Sequence, residues 1–311
     1  MKPELLAVSA LPSFLAQDLE RDFILHTLIG GPADPAFEEV APKIRGIAAT
    51  AWVPVTAGLI GRLPRLEIIS TYSVGYDSID VETARARGIV VTNTPDVLTA
   101  DVADFAMTLL LAASRGVVQA DRFVREKCWE AGAFPLMHRV SGARLGIVGL
   151  GRIGRAVAHR AEAFGMSIAY TNPKPKSDVP YSFFPDVEAL AAHVDFLVVS
   201  APGGAATQSL IDEKVLRALG PDGTLVNIAR GSLIDEPALI EALRSKTIRA
   251  AALDVFAHEP RVPAELMALE NVVLAPHVAS GTWSTRQAMA KLVCDDLRAH
   301  FSGKPVLTRV V

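Results

Sequence analysis

Arg230, Glu259 and His277 are the side chains of this 311-residue chain whose types and spacing could carry a reaction. Each follows an apolar run: Arg230 in Asn227-Ile228-Ala229-Arg230-Gly231, Glu259 after Asp254-Val255-Phe256, and His277 in Ala275-Pro276-His277-Val278. Imidazole exchanges its proton nearest neutrality, so His277 suits a general acid and base. A carboxylate partner favours a protonated ring, and Glu259 stands eighteen positions earlier. The guanidinium of Arg230 offers a fork that grips a carboxylate bidentately and can polarise a neighbouring carbonyl. A proton donor beside a carboxylate-binding cation is what reduction of a 2-keto acid needs, once a hydride donor is supplied. Taken singly, each residue has a plain structural role: a loop histidine, a helix cap, a surface ion pair. Their joint position after successive apolar runs points to chemistry. His258 is the rival acid, but its place before Glu259 fits a solvated loop residue.

The hydride donor has a candidate site upstream. Gly149-x-Gly151-x-x-Gly154 sits where the apolar run Leu145-Gly146-Ile147-Val148 gives way to a helical pattern from Ile153 to Ala163. That strand-to-helix context is what gives such glycines meaning. Gly149 permits the tight turn, Gly151 lets backbone approach a pyrophosphate, and Gly154 allows close packing of helix on strand. The amides of Arg152 and Ile153 would face the phosphates. The next run ends in Tyr170-Thr171-Asn172-Pro173-Lys174-Pro175-Lys176, with no acidic residue from Ser167 through Ser177. A ribose with free hydroxyls is normally held by a carboxylate here, and a 2′-phosphate is repelled by one. The segment therefore favours NADP(H) and leaves NAD(H) open, with Asn172 donating to the phosphate and Lys174 or Lys176 supplying charge.

The elements that must position these groups recur at βα spacing. Leu5–Val8, Phe23–Leu28, Ile44–Thr50, Leu66–Tyr72 and Ile89–Asn93 form one series. Arg144–Leu150, Ser167–Thr171, Phe196–Ala201, Thr224–Ala229, Ala251–Val255 and Val272–Ala275 form a second. The expected fold is α/β with two doubly wound parallel sheets. Asp101–Lys127 reads as one long helix behind the candidate caps Thr99 and Asp101, and Thr285–Phe301 as a last helix returning to the first domain. A Rossmann NAD(P)-binding domain (96–281) is then inserted into a flavodoxin-like substrate domain (1–95 and 282–311), with crossings near Pro95 and Gly281. Pro173–Pro185 is the most loop-like interior stretch.

Composition narrows the classes. The formal charge of −3 and the absence of a basic run argue against a nucleic-acid partner. Cys128 and Cys294 are too few for a disulfide framework and lack zinc spacing, so no metal is expected and both read as packing residues in a reducing, cytoplasmic setting. No apolar run is long enough to span a membrane.

Taken with Ser73-Val74-Gly75-Tyr76-Asp77-x-x-Asp80 and Val97-Leu98-Thr99-x-Asp101-Val102-Ala103-Asp104, these segments stand in an order that resembles the D-isomer-specific 2-hydroxyacid dehydrogenases. The similarity covers most of the chain and points to the branch of NADPH-dependent glyoxylate, hydroxypyruvate and hydroxyphenylpyruvate reductases. It implies that Arg230 binds and polarises substrate, Glu259 tunes His277, His277 transfers the proton, and Asp254 lies near the nicotinamide. It further implies backbone donors at Val74 and Gly75, and cofactor contacts at Ser200, Ala201, Pro202, Thr207, Ile228, Ala229 and Gly281. Pro202-Gly203-Gly204-Ala205-Ala206-Thr207 departs from the usual Pro-Leu-Thr-Pro-Glu-Thr. A homodimer is implied, with Asp101–His138 as the candidate interface and Trp129, Phe134 and Met137 as an apolar group within it.

Trp52 and Leu98 are candidates for the substrate pocket, with Trp283 near its mouth. Large residues around Trp52 favour glyoxylate and hydroxypyruvate, while an open pocket would admit hydroxyphenylpyruvate or 2-ketogluconate. A nucleotide-sensing corepressor on the same fold is the reading from a different class. The intact Arg230, Glu259 and His277 set argues against it.

Overall fold

The computed structural model describes residues 2–28 and 33–311. They divide into two compact units, one holding the chain through Leu98 together with Gly281–Val311, the other Thr99–Ser280.

In the first unit β1 (Glu4–Ala7), β2 (Ile24–Thr27), β3 (Ile44–Ala49), β4 (Ile68–Thr71) and β5 (Val90–Thr92) form a parallel sheet in the order β2-β1-β3-β4-β5. Strand β4 is buried throughout and β3 at all but one residue. Parallel strands flanked on both faces have no wet side, which is why they read as unbroken aliphatic runs. The helices are α1 (Ser13–Asp22), α2 (Phe37–Val40), α3 (Ala57–Gly61), α4 (Val81–Ala86) and, after the chain returns, α12 (Trp283–Phe301). Asp80 and Thr282 cap α4 and α12 by accepting the N–H groups of Thr83 and Thr285. The fully buried Asp296 of α12 accepts the amides of Leu307 and Thr308, which brings the C-terminal segment alongside β5.

The second unit contains α5 (Thr99–Arg115), α6 (Val117–Arg125), β6 (Arg144–Val148), α7 (Arg152–Glu162), β7 (Ser167–Thr171), β8 (Ser182–Phe184), α8 (Val187–Ala191), β9 (Phe196–Val199), α9 (Glu213–Leu219), β10 (Thr224–Asn227), α10 (Glu236–Arg244), β11 (Ala250–Leu253), α11 (Ala264–Met267) and β12 (Val272–Leu274). Its seven strands are all parallel, in the order β12-β11-β10-β9-β6-β7-β8. Strand order reverses between β6 and β9, and open sheets bind ligands beyond the carboxyl ends of strands at such a point. The fold is thus the doubly wound pair that the sequence implies.

Two expectations are corrected. The stretch 173–185 is not all loop: β8 pairs with β7 as a three-residue edge strand. Proline on both sides, Pro180 and Pro185, hides so short a run. The long helix over 101–127 is two helices, because Gly116 takes a left-handed φ of 60° between α5 and α6. A Cβ there would lie 2.8 Å from the Met137 side chain, so the break also seats the returning segment. Among the described residues no helix is long and apolar enough to cross a membrane, and no His, Cys, Asp and Glu group could hold a metal ion. Cys294 is buried as expected, whereas Cys128 is partly exposed.

Candidate active site

The glycine loop sits at the switch point. Gly149 has φ 93°, and a Cβ on it would lie 2.7 Å from the Ala201 backbone, where β9 ends. A Cβ on Gly154 would lie 2.4 Å from the Gly149 carbonyl oxygen. Gly151 differs, since nothing lies within 4 Å of the place its Cβ would occupy. Two glycines therefore let the chain cross itself closely, and the third leaves room on the side where a pyrophosphate must approach backbone. Ser200 Oγ donates to the Gly149 carbonyl at 2.8 Å, and the Leu150 N–H donates to Asn172 Oδ1 at 2.7 Å. Arg152 and Ile153 open α7, at the positive end of its dipole. These residues fit a dinucleotide.

The Asn172 carboxamide oxygen braces the glycine loop, and its Nδ2 is the group that can donate to a phosphate. Thr171 closes β7 with 6 % exposure, while Lys174 and Lys176 are exposed. The loop is pinned from beneath: the Lys176 N–H donates to the buried Tyr170 hydroxyl at 2.7 Å, and Arg155 binds Asp178 at 2.9 Å. In the divergent 202–207 segment, Thr207 Oγ1 donates to the Pro202 carbonyl at 2.8 Å and closes the turn. Ala201 and Ile228 are buried.

Three consecutive strands, β10, β11 and β12, deliver the reactive groups at their carboxyl ends. Asn227, wholly buried, ends β10 and shapes the turn behind it: its Nδ2 donates to the Arg230 carbonyl at 2.9 Å and its Oδ1 accepts the Ala229 N–H at 3.0 Å. The Arg230 guanidinium itself donates to the Ala229 carbonyl at 2.8 Å. Asp254 follows β11 and is 1 % exposed. Its carboxylate oxygens accept the N–H groups of Val278 and Ala279 at 2.7 and 2.8 Å, and its carbonyl accepts the His277 N–H at 2.8 Å. This grip holds His277 at φ 53°, a left-handed conformation that side-chain-bearing residues keep only where their surroundings impose it. Burial pushes the Asp254 carboxyl above its ordinary value, and these two amides together with His277 offset that only in part.

His277 Nδ1 lies 2.8 Å from Glu259 Oε2, and Glu259 Oε1 accepts the Phe256 N–H at 3.0 Å. Burial pushes the Glu259 carboxyl up. The hydrogen bonds from His277 and Phe256, with the charges of His277 and Arg230, outweigh it and hold the group below its ordinary value. Glu259 is therefore an anion near neutrality, and Nδ1 is the donor of the pair. An acid whose folded value is depressed contributes stability above its unfolded value and loses it as pH falls through the folded one. The melting-temperature gap between the protein and its Glu259→Gln variant should accordingly be widest near neutrality and close as pH drops through the carboxylate range. A gap independent of pH would contradict the ion pair.

Of the candidates in the first unit, Val74 and Gly75 are partly exposed in the turn after β4, and Trp52 is 55 % exposed. Leu98 is only 7 % exposed, and the Trp283 ring leans on Phe14 with centroids 6.3 Å apart. Gly281 opens the returning segment of this unit. In the second unit, Phe134 packs on Phe123 at 5.4 Å between centroids, Trp129 is exposed, and the rival acid His258 is exposed. Sequence reasoning missed Asn227 and also Glu236, whose Oε1 accepts the Ala257 N–H at 3.1 Å. A polar residue ending an otherwise apolar strand was the available signal for the first.

Residues 107–279 match the D-isomer specific 2-hydroxyacid dehydrogenase, NAD binding domain. A hydroxyphenylpyruvate reductase of Plectranthus scutellarioides is 46 % identical over 307 residues, covering 98 % of both chains. A glyoxylate/hydroxypyruvate reductase A of Arabidopsis thaliana is 48 % identical over the same length and coverage. The crystal structure of an NADPH-dependent glyoxylate/hydroxypyruvate reductase of Sinorhizobium meliloti, in complex with NADP and malonate, superposes with a TM-score of 0.93 at 42 % identity. It covers 100 % of this chain and 97 % of that one. Agreement of that extent, along the whole chain and through the glycine loop and the His277 segment alike, makes the protein an oxidoreductase that belongs to the D-isomer-specific 2-hydroxyacid dehydrogenase family.

Proposed function

We propose that the protein reduces small 2-keto acids, glyoxylate and hydroxypyruvate foremost, to D-2-hydroxy acids with NADPH. The observation that carries this reading is the His277 to Glu259 hydrogen bond of 2.8 Å, on the same sheet edge as Arg230 and the glycine loop. When bound, the reduced nicotinamide supplies a hydride to the carbonyl carbon. Arg230 holds the substrate carboxylate and draws electron density toward the carbonyl oxygen. His277 delivers the proton from Nε2 to that oxygen, because its Nδ1 is committed to Glu259. Glu259 stabilises the imidazolium beforehand, and solvent reprotonates the ring afterwards. Asp254 fixes the backbone on which His277 stands. In the first unit, the Val74 and Gly75 amides are assigned to the substrate carboxylate, as successive amides in a glycine turn suit an anion.

NADPH is favoured by the lack of any carboxylate at Thr171 and Asn172 and by Lys174 on a pinned loop. Thr171→Asp should move the ratio of kcat/KM for NADPH over NADH toward NADH by roughly tenfold or more, since a carboxylate repels the 2′-phosphate and accepts from a ribose hydroxyl. An unchanged ratio would remove the assignment of this loop. The protein is further proposed to act in the cytoplasm as a homodimer without a nucleic-acid partner. Helix α6, which buries none of its residues and exposes Val117, Val118 and Val124, supports the dimer.

The test is the initial rate of reduction of glyoxylate, hydroxypyruvate, 4-hydroxyphenylpyruvate and 2-ketogluconate, each with NADPH and NADH. Efficient turnover of the smaller acids with NADPH is expected. Cofactor binding without turnover of any of them would overturn the reading, and preference for the aryl or sugar acid would reassign the substrate within the family.

A further inference from the structure

We infer that Asn93 and Ser73 are positioning residues that set the polarity of the 73–76 turn, aiming at the substrate carboxylate the Gly75 N–H and, as a further donor beside the Val74 and Gly75 pair, the Tyr76 N–H. The inference rests on the keto-acid reading above. Asn93 Nδ2 donates to the Val74 carbonyl at 2.8 Å, and Ser73 Oγ donates to the Gly75 carbonyl at 2.5 Å. In a trans peptide the C=O and N–H vectors oppose one another. Fixing the Val74 carbonyl against Asn93 therefore turns the Gly75 N–H the other way, and fixing the Gly75 carbonyl against Ser73 does the same for the Tyr76 N–H. Among the described residues, no acceptor takes the N–H of Val74, Gly75 or Tyr76.

Both positioning residues are themselves held, Ser73 through its hydroxyl and Asn93 through its backbone. Ser73 is 8 % exposed and its hydroxyl meets Thr71 Oγ1 at 3.0 Å. The Asn93 carbonyl accepts from Thr308 Oγ1 at 2.6 Å, and the Thr94 N–H donates to the Ser73 carbonyl at 2.9 Å. A glycine in the turn leaves its peptide planes free to flip, so the amide pair needs such an external restraint to be ready before the substrate arrives. Sequence and fold would otherwise permit either orientation.

The isosteric Asn93→Asp replaces the donor with a carboxylate facing the Val74 carbonyl, which reverses the preferred orientation of the 74–75 peptide. KM for glyoxylate should rise roughly 10- to 100-fold, as for loss of a hydrogen bond to a charged group, while KM for NADPH is unchanged. The decisive comparison is glyoxylate against its methyl ester, which has no carboxylate. The variant should lose the preference for acid over ester, whereas general structural damage lowers both alike. Ser73→Ala should act in the same direction through the other peptide, and Ser73→Thr, which keeps the hydroxyl, should restore the preference. Retention of the acid preference in both Asn93→Asp and Ser73→Ala would overturn the inference. If the unaltered enzyme itself does not distinguish acid from ester, the underlying keto-acid reading fails instead.

Discussion

Replacing His277 with Gln should lower kcat for keto-acid reduction by roughly two to four orders of magnitude, the range that a positioned acid contributes, and leave the affinity for NADPH nearly intact. The glutamine amide can still hydrogen-bond to Glu259, so the anion keeps a partner. What is lost is a group that can give a proton to the carbonyl oxygen and regain it from solvent. The cofactor loop at 149–154 stands at the end of β6, separated from β12 by three intervening strands of the sheet, and is untouched by the change. Position 277 has a left-handed backbone, so His277→Asn, which tolerates that region better, controls for strain. A variant that loses cofactor affinity while keeping its rate at saturation would refute the proton-transfer role.

Gly231→Ala has the next largest expected effect, and it acts through shape. A Cβ on Gly231 would lie 1.9 Å from the Phe256 carbonyl carbon and 2.1 Å from its oxygen. Backbone cannot yield as a side-chain tip does, so one methyl group must part the turn after β10 from the turn after β11. Those turns carry Arg230 and Glu259. Overpacking of this kind costs about 1–3 kcal/mol, occasionally more, and a chain of this size loses roughly 2–4 °C of melting temperature per kcal/mol. Activity should fall much further than the remaining folded fraction explains, because the guanidinium and the carboxylate are displaced together. Full activity at an unchanged melting temperature would show that the two turns do not touch.

Much of this architecture is legible in the chain. Buried parallel strands announce themselves as aliphatic runs, and a glycine loop between a strand and a helix has few other meanings. Arg230, Glu259 and His277 could be grouped before any coordinates because a doubly wound sheet presents all its strand ends on one edge. What escaped notice was held in contacts between distant residues. Nothing near Asn227 in sequence says that its carboxamide shapes the path to Arg230. Nothing near Gly231 says that the Phe256 backbone crosses it. Gly116 was visible as a glycine, but an isolated glycine is tolerated inside helices, and only its left-handed φ shows that it ends α5. Strand β8 was hidden because three residues between prolines carry no periodicity. The brace from the Asn172 oxygen to the Leu150 N–H was likewise out of reach, because it joins residues 22 positions apart.

That oxygen limits how this enzyme can be re-engineered. Asn172 stands among the residues proposed to distinguish one nicotinamide dinucleotide from the other, but it also braces Leu150 in the glycine loop, which is proposed to serve the portion both dinucleotides share. Any replacement chosen to alter discrimination at 172 also unsettles affinity for both, so selection for a switched preference meets a penalty there whichever cofactor is the goal. Thr171 and the 173–176 segment carry no such double duty toward the glycine loop through their side chains. Routes to a changed cofactor preference run through those neighbours, with the asparagine left as the fixed point around which they vary.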